Sequence, residues 1–235
     1  MEQFTLKEEV KLEGIGLHSG KYANILIKPA PVNTGIIFMR TDLPERPIID
    51  AIVTNVIEVE REVIIGKDDV SVQTVEHLLA ALTGLEIDNA IIEINGPEVP
   101  ILDGSAKLIV EAIQKVGLKN QNKPKKIYRI REPLTIVKDE TLLILLPSTQ
   151  LKISYTIDFN HKALGAQYKT LIITPETFVN ELASARTFGF EHEIEYLRSK
   201  GLIKGGSLEN AIVVGENGVL NPEGLRFKDE FVRHK

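Results

Sequence analysis

The chain has 235 residues, 43% hydrophobic and 26% charged, with a net charge of −5 and no cysteine. That length holds a full core in one large domain or two modest ones, and the acidic balance argues against a basic nucleic-acid groove. Without thiols there is no disulfide framework, and any metal falls to His, Asp or Glu.

The first residues, MEQFTLKEEVKLEG, lack the basic and apolar regions of a signal peptide. No stretch approaches the roughly 18 apolar residues of a membrane span. A cytoplasmic, monomeric protein without a transmembrane segment or nucleic-acid partner is the expectation. Thr5–Leu12 reads as a strand ending at the turn Gly14-Ile15-Gly16, and Tyr22–Lys28 alternates as its antiparallel partner. Gly35–Arg40 and Ile48–Val53 follow as short strands around Pro44 and Pro47. Val63–Ile65 leads through Gly66–Asp69 into the central stretch Ser71–Leu82, SVQTVEHLLAAL. There Val75, Leu78, Leu79 and Leu82 recur at the spacing of one buried helix face, and Gly84 is its stop. Asn89–Ile94 is a strand, and Pro100–Ser105 leads into a helix over Ala106–Val116 that Asp103 or Ser105 could cap.

Leu118–Lys126 carries four lysines around one proline without apolar periodicity, and reads as a surface linker. The second half restarts with strands at Ile127–Ile130, Leu134–Val137, Thr141–Leu146 and Leu151–Ile157. Phe159-Asn160-His161 opens a polar insert, and Tyr168–Thr174 returns as a strand. Pro175 starts a helix running to about Ala183, Glu191–Lys200 is amphipathic, Ala211–Val214 is a strand, and Phe227–Lys235 begins a helix. Each half shows strands and helices in turn. The expected class is α+β: two similar domains, 1–120 and 121–235, each a mostly antiparallel β-sheet packed against helices.

Glu76 and His77 stand at the edge of the apolar stripe of the central helix. A carboxylate beside a neutral imidazole suits metal-assisted hydrolysis, where one group holds the metal and the other moves protons on its water. A solvated pair on a helix flank is the competing reading. The other histidines are His18 in a Gly-rich turn, His161 in the polar insert, His192 in a helix's first turn, and His234 in the final helical pattern. His77 and His234 make the best ligand pair, each with a chargeable neighbour, Glu76 and Lys235. His161 and His192 read as surface residues. No GxxxxGK[ST] phosphate loop, GxGxxG turn or GxSxG elbow is present. A metal hydrolase is the enzyme reading that survives.

Several segments, in this order, resemble one family: EGIGLHSG (13–20), TVEH (74–77), PILDGSA (100–106), FNH (159–161), SARTFGF (184–190), KGGSL (204–208) and NPEGLR (221–226) running on to FVRHK (231–235). The family is UDP-3-O-acyl-N-acetylglucosamine deacetylase, a zinc amidase of lipid A biosynthesis, and the resemblance spans essentially the whole chain. It implies an active site between two domains, with His77 and His234 as Zn2+ ligands and Glu76 as general base. Thr187 would stabilise the oxyanion and Lys235 would contact substrate. Phe159 would pack on the nucleotide side with Phe188 also contacting substrate, while Ile194, Ile203, Ser207, Leu208 and Val213 would line the passage for the acyl chain.

The family's third zinc ligand is an aspartate one helical turn beyond the His234 position, and this chain ends at Lys235. The resemblance therefore implies a truncated form that binds zinc weakly and turns over slowly, because a catalytic zinc takes three protein ligands and water. Glu230, four residues before His234, is a substitute on the same helix face. The alternative function is a non-catalytic binding module that keeps the acyl and nucleotide grooves without zinc.

Overall fold

A computed structural model describes residues 1–235. Its organising layer is a five-stranded sheet in the order β2-β3-β9-β4-β5. The strands are β2 (Val10–Ile15), β3 (Tyr22–Pro29), β4 (Ile36–Arg40), β5 (Ile48–Asp50) and β9 (Ala90–Ile94). Alternation decides which face is buried. In β3 the inward residues are Ala23, Ile25 and Ile27, and in β9 they are Ala90, Ile92 and Ile94, all essentially inaccessible. Against that face pack α1 (Glu76–Gly84), through Leu78, Ala81 and Leu82, and α2 (Lys107–Val116), through Ile109, Val110 and Ile113. Each buried Leu, Ile or Val among these contributes about 1.5–3 kcal/mol by leaving water.

The expected single strand Thr5–Leu12 is two strands. β1 (Glu2–Leu6) turns away at Lys7–Glu9 and pairs antiparallel with β10 (Leu118–Pro124), not with the main sheet. The stretch expected as a linker is therefore strand up to Pro124. Its polarity reflects an edge position: five of its seven residues are exposed, and Gln121, half-buried, accepts from the Asn89 side-chain amide. Ser71–Gln73 is not helical. β8 (Val70–Val72) pairs with β7 (Ile64–Lys67), which pairs with β6 (Val56–Glu58), a small sheet at one edge of the helix layer. Thr74, at φ +55, reverses the chain so that the helix starts only at Glu76.

In the second half, β11 (Leu134–Lys138) and β12 (Thr141–Leu145) form a hairpin, and β13 (Lys152–Phe159) and β14 (Gly165–Ile172) form another. The segment expected as a polar insert at Phe159–His161 is the tip of this second hairpin, and Ile127–Ile130 is not a strand. Pro175–Thr177 (α3) has a reciprocal Thr174–Thr177 cap and continues as one π turn over Phe178–Leu182. β15 (Phe188–Phe190), β16 (Ile212–Gly215) and β17 (Gly218–Val219) make a small mixed sheet, α4 covers Ile194–Ser199, and α5 covers Glu230–His234. A second core joins Ile157, Leu164, Phe190, Ile212, Val214, Phe231 and Val232. Every residue of β11 and β12 is exposed, so this hairpin contributes no core. The class is α+β. Its ladders are antiparallel except β4–β9 and β15–β16.

The two halves meet backbone to backbone. Thr187 N–H donates to Gly104 O at 2.7 Å, and Lys204 and Gly205 N–H donate to His18 and Leu17 carbonyls. Gly104 sits at φ +80, and a Cβ there would lie 2.1 Å from Asn210 O. Only glycine allows that approach.

Candidate active site

Glu76 and His77 begin α1, and the buried stripe of that helix sets where they face. Val75 and Leu78 are fully buried on either side of the pair. Glu76 is in the first helical turn, where the helix N-terminus favours a carboxylate. Its Oε2 accepts the Val63 N–H at 3.0 Å, which fixes the carboxylate to the strand end beside β7.

His234 comes from the other half on α5. This short helix is anchored by Phe231 and Val232 in the second core and by Glu230, which is fully buried. Arg186 donates to Glu230 Oε1 through its backbone N–H at 3.0 Å and through Nε at 2.9 Å. The same guanidinium reaches Glu223 and the Gly224 carbonyl. Glu230 also accepts the Arg226 N–H at 2.5 Å. The carboxylate that spacing offered as a substitute metal ligand is thus committed to two arginines' donors. It holds the helix rather than a metal.

The result is an edge-to-face pair of imidazoles, His77 and His234, with ring centroids 5.2 Å apart. Burial pushes His77 down to about 4, opposed by the nearby Asp103 charge. Burial, then the His77 neighbour, pushes His234 down to about 3. Both rings are neutral at neutral pH, the form that ligates a metal. His234 Nδ1 is 3.2 Å from the Ala185 carbonyl oxygen, an arrangement that leaves its Nε2 free. His77 Nδ1 is buried with no partner at all. A buried unpartnered ring nitrogen costs free energy unless something fills its lone pair, and two neutral imidazoles are donors that a zinc-type ion takes, two of the three protein ligands of a catalytic zinc. No third His, Asp or Glu joins the two imidazoles in a metal-binding group. Burial raises Glu76 above the ordinary glutamate range, with its backbone hydrogen bonds opposing.

Thr187 immediately precedes β15; its N–H donates to Gly104 O and its C=O accepts from the Ile212 N–H. Lys235, just after α5, has its ammonium in the cavity wall, 5.5 Å from the Phe188 ring centroid. Desolvation of that ammonium and then the Arg61 charge hold it below the ordinary lysine range, with Glu76 opposing. Glu76, His77, Thr187, His234 and Lys235 line one cavity of about 610 Å³. Its apolar walls include Ile153, Leu171 and Phe178.

The other residues singled out from sequence lie off that cavity. Phe159 and Phe188 stack edge to face at 5.7 Å, and Phe188 reaches within 6.4 Å of the His234 ring. Ile194 starts α4, Ile203 is in a left-handed turn at φ +50, Ser207 and Leu208 are in the following turn, and Val213 lies in β16 beside Gly189. Asp103 does not cap α2. It binds Ser105, whose Oγ accepts the Lys107 N–H at 3.2 Å, and it pairs with Arg226 at 2.9 Å across the halves. His192 is exposed as expected, whereas His161 is half-buried against Phe190 at 5.2 Å. Sequence reading missed Arg61, Glu62 and Arg186. Arg186 is 2% exposed, and its one visible sign was a lone arginine inside an apolar, Gly-containing segment.

A desolvated carboxylate and two neutral imidazoles, brought from both halves of an α+β chain to one cavity, are groups of the kind that metal-assisted hydrolysis uses. The family profile described as LpxC, UDP-3-O-acyl N-acetylglycosamine deacetylase, matches residues 3–235. The UDP-3-O-acyl-N-acetylglucosamine deacetylase of Geobacter sp. (strain M21) is 48% identical over 233 residues, covering 99% of this chain and 76% of the relative. That of Oleidesulfovibrio alaskensis is 48% identical over 241 residues, covering 100% and 77%, and that of Shewanella pealeana is 46% identical over 236 residues, covering 99% and 77%. The chain belongs to the UDP-3-O-acyl-N-acetylglucosamine deacetylase family. No helix is long and apolar enough to cross a membrane.

Proposed function

We propose that the chain hydrolyses the N-acetyl group of UDP-3-O-acyl-N-acetylglucosamine, releasing acetate and a free amine, within lipid A biosynthesis in the cytoplasm. The observation that carries this reading is the convergence of Glu76, His77, Thr187, His234 and Lys235, drawn from both halves, on one cavity. His77 and His234 would hold a zinc ion, which when bound polarises an acyl oxygen and lowers the pKa of water. Glu76, oriented by the Val63 N–H, takes a proton from the attacking water as its oxygen bonds the acetamide carbon. Its raised affinity for protons suits it to pass that proton on as the C–N bond breaks. The Thr187 hydroxyl donates to the developing oxyanion, and the Lys235 ammonium offsets the negative charge that gathers there. Phe159 would pack on the nucleotide side of the substrate, and Phe188 would also contact it. Ile194, Ile203, Ser207, Leu208 and Val213 would flank the acyl chain. The domain plan proposed with this mechanism divides the chain near residue 120, with the site between the two parts.

The test has two readouts. Zinc titrated into the chain by calorimetry is expected to find one site, lost in His77→Ala and in His234→Ala. Acetate release from the substrate is expected to require zinc and to vanish in Glu76→Gln while zinc binding persists. No zinc site in the parent chain, or undiminished release in Glu76→Gln, would overturn the reading.

A further inference from the structure

The turn around Gly14–Ser19 plays no part in the chemistry above, yet it wraps a buried carboxylate. Glu98 is 1% exposed. Its Oε1 accepts the His18 N–H at 2.8 Å, and its Oε2 accepts the Ser19 N–H at 2.7 Å. The wrap is tight: a Cβ on Gly16 would lie 2.2 Å from Glu98 Oε2. The Thr74 hydroxyl stands 2.9 Å from Glu98 Oε1 and 3.1 Å from Glu62 Oε2. Thr74 is 2% exposed, and Glu62, 6% exposed, stands at the wall of the cavity that holds Glu76.

The proton count is decisive. A threonine hydroxyl has one proton and can donate to only one of these two carboxyl groups. Its oxygen can accept from the other only if that group is itself protonated. Glu98 already receives two backbone donors, the pattern of a carboxylate that carries no proton. No backbone donor serves Glu62 Oε2. The proton therefore belongs on Glu62, which donates to Thr74, which donates to Glu98.

We propose that Glu62 is a positioning residue that, as a neutral acid hydrogen-bonded through Thr74 to Glu98, holds the adjacent Val63 N–H on the Glu76 carboxylate. Three further observations fit. Thr74 is held at φ +55, a conformation a β-branched residue adopts only when its surroundings impose it. Val63 is pinned from both directions, with its N–H on Glu76 and its carbonyl accepting the Val75 N–H at 3.3 Å. Burial pushes Glu62 up to about 7, and the surrounding charges of Glu98, Glu76 and Glu58 act in the same direction, against the Thr74 hydrogen bond. Arg61, its chain neighbour, is turned instead to Glu193 at 2.8 Å. As pH rises past about 7 the bridge loses its only spare proton, Thr74 faces two carboxylates, and the Val63–Glu76 contact loosens.

The inference rests on Glu76 being the base, but its first test needs no turnover. In the full chain labelled with 13C at glutamate carboxyls, one carboxyl is expected to titrate with a midpoint near 7 and to disappear in Glu62→Gln. The Val63 amide signal is expected to follow that titration in the parent chain and to become insensitive to pH in Glu62→Gln, whose side-chain amide still donates to Thr74. Glu62→Ala and Thr74→Val should both displace the Val63 signal. Acetate release should fall about tenfold in kcat with KM unchanged in Glu62→Ala, and Glu62→Gln should restore it. Glu62 titrating in the ordinary glutamate range, or a Val63 signal unmoved in Glu62→Ala, would overturn the proposal. Failure of the functional reading would be seen separately, as full activity in Glu76→Gln with the Glu62 titration intact.

Discussion

Removing Glu230 should release the helix that carries His234. In Glu230→Ala, the Arg186 guanidinium, 2% exposed, loses the Nε contact at 2.9 Å and its strongest charge partner. The backbone N–H groups of Arg186 and Arg226 lose their acceptor as well. Removing one partner of a buried pair costs roughly 3–5 kcal/mol, because the charge left behind has no compensation. Arg186 keeps Glu223, whose side chain is 53% exposed, and the Gly224 carbonyl, so the loss belongs at the lower end, about 3 kcal/mol. Since α5 is short, the effect should appear as local opening. Hydrogen exchange of the Lys235 amide, bonded to Phe231 O, and of the Val232 amide, bonded to Gln167, should report an opening free energy lower by about 3 kcal/mol. Glu230→Gln keeps an acceptor and should lose about half as much. A change below about 1 kcal/mol in Glu230→Ala would refute the argument that this pair anchors the helix.

Gly104→Ala should destabilise by more than about 1 kcal/mol, since it adds a methyl at φ +80 against Asn210 O, and a denaturant midpoint that does not fall would contradict the close approach. Thr187→Val should lower kcat about 10²–10³-fold with little change in KM, the pattern for a donor used in the transition state; a rise in KM alone would assign it to substrate binding. Glu62 has a folded pKa above its unfolded one, so its stabilising contribution is complete below about 4.5 and is lost as pH rises through about 7. The parent chain should therefore lose stability relative to Glu62→Gln between these limits, and parallel profiles of melting temperature against pH would rule that out. Arg61→Ala should raise the Lys235 pKa by removing a neighbouring positive charge, measurable as the pH dependence of its chemical modification; an unchanged profile would show that burial alone sets it.

Local pattern was legible wherever one element buries one face. Val75, Leu78 and Leu82 marked α1 because their spacing and their burial have the same cause. Tyr22–Lys28 and Asn89–Ile94 alternated because each lies in a half-covered sheet. Errors fell where the deciding partner is distant. Leu118–Pro124 is a strand only because β1 offers it an edge more than a hundred residues back in sequence. The start of α1 is set by Thr74, whose reversal depends on Glu62 and Glu98. Glu230 has ligand spacing from His234, yet Arg186 claims it.

The sequence by itself determined the α+β class, the helix bearing Glu76 and His77, and, through ordered motifs along the whole chain, the family. These follow from side-chain periodicity and residue type, which are local quantities. Only the tertiary structure decided that His77 and His234 meet at 5.2 Å, that both stay neutral, and that Glu62, Thr74 and Glu98 form one hydrogen-bonded unit. Distance and desolvation arise from which surfaces the whole fold presses together, and no short stretch of residues carries that information.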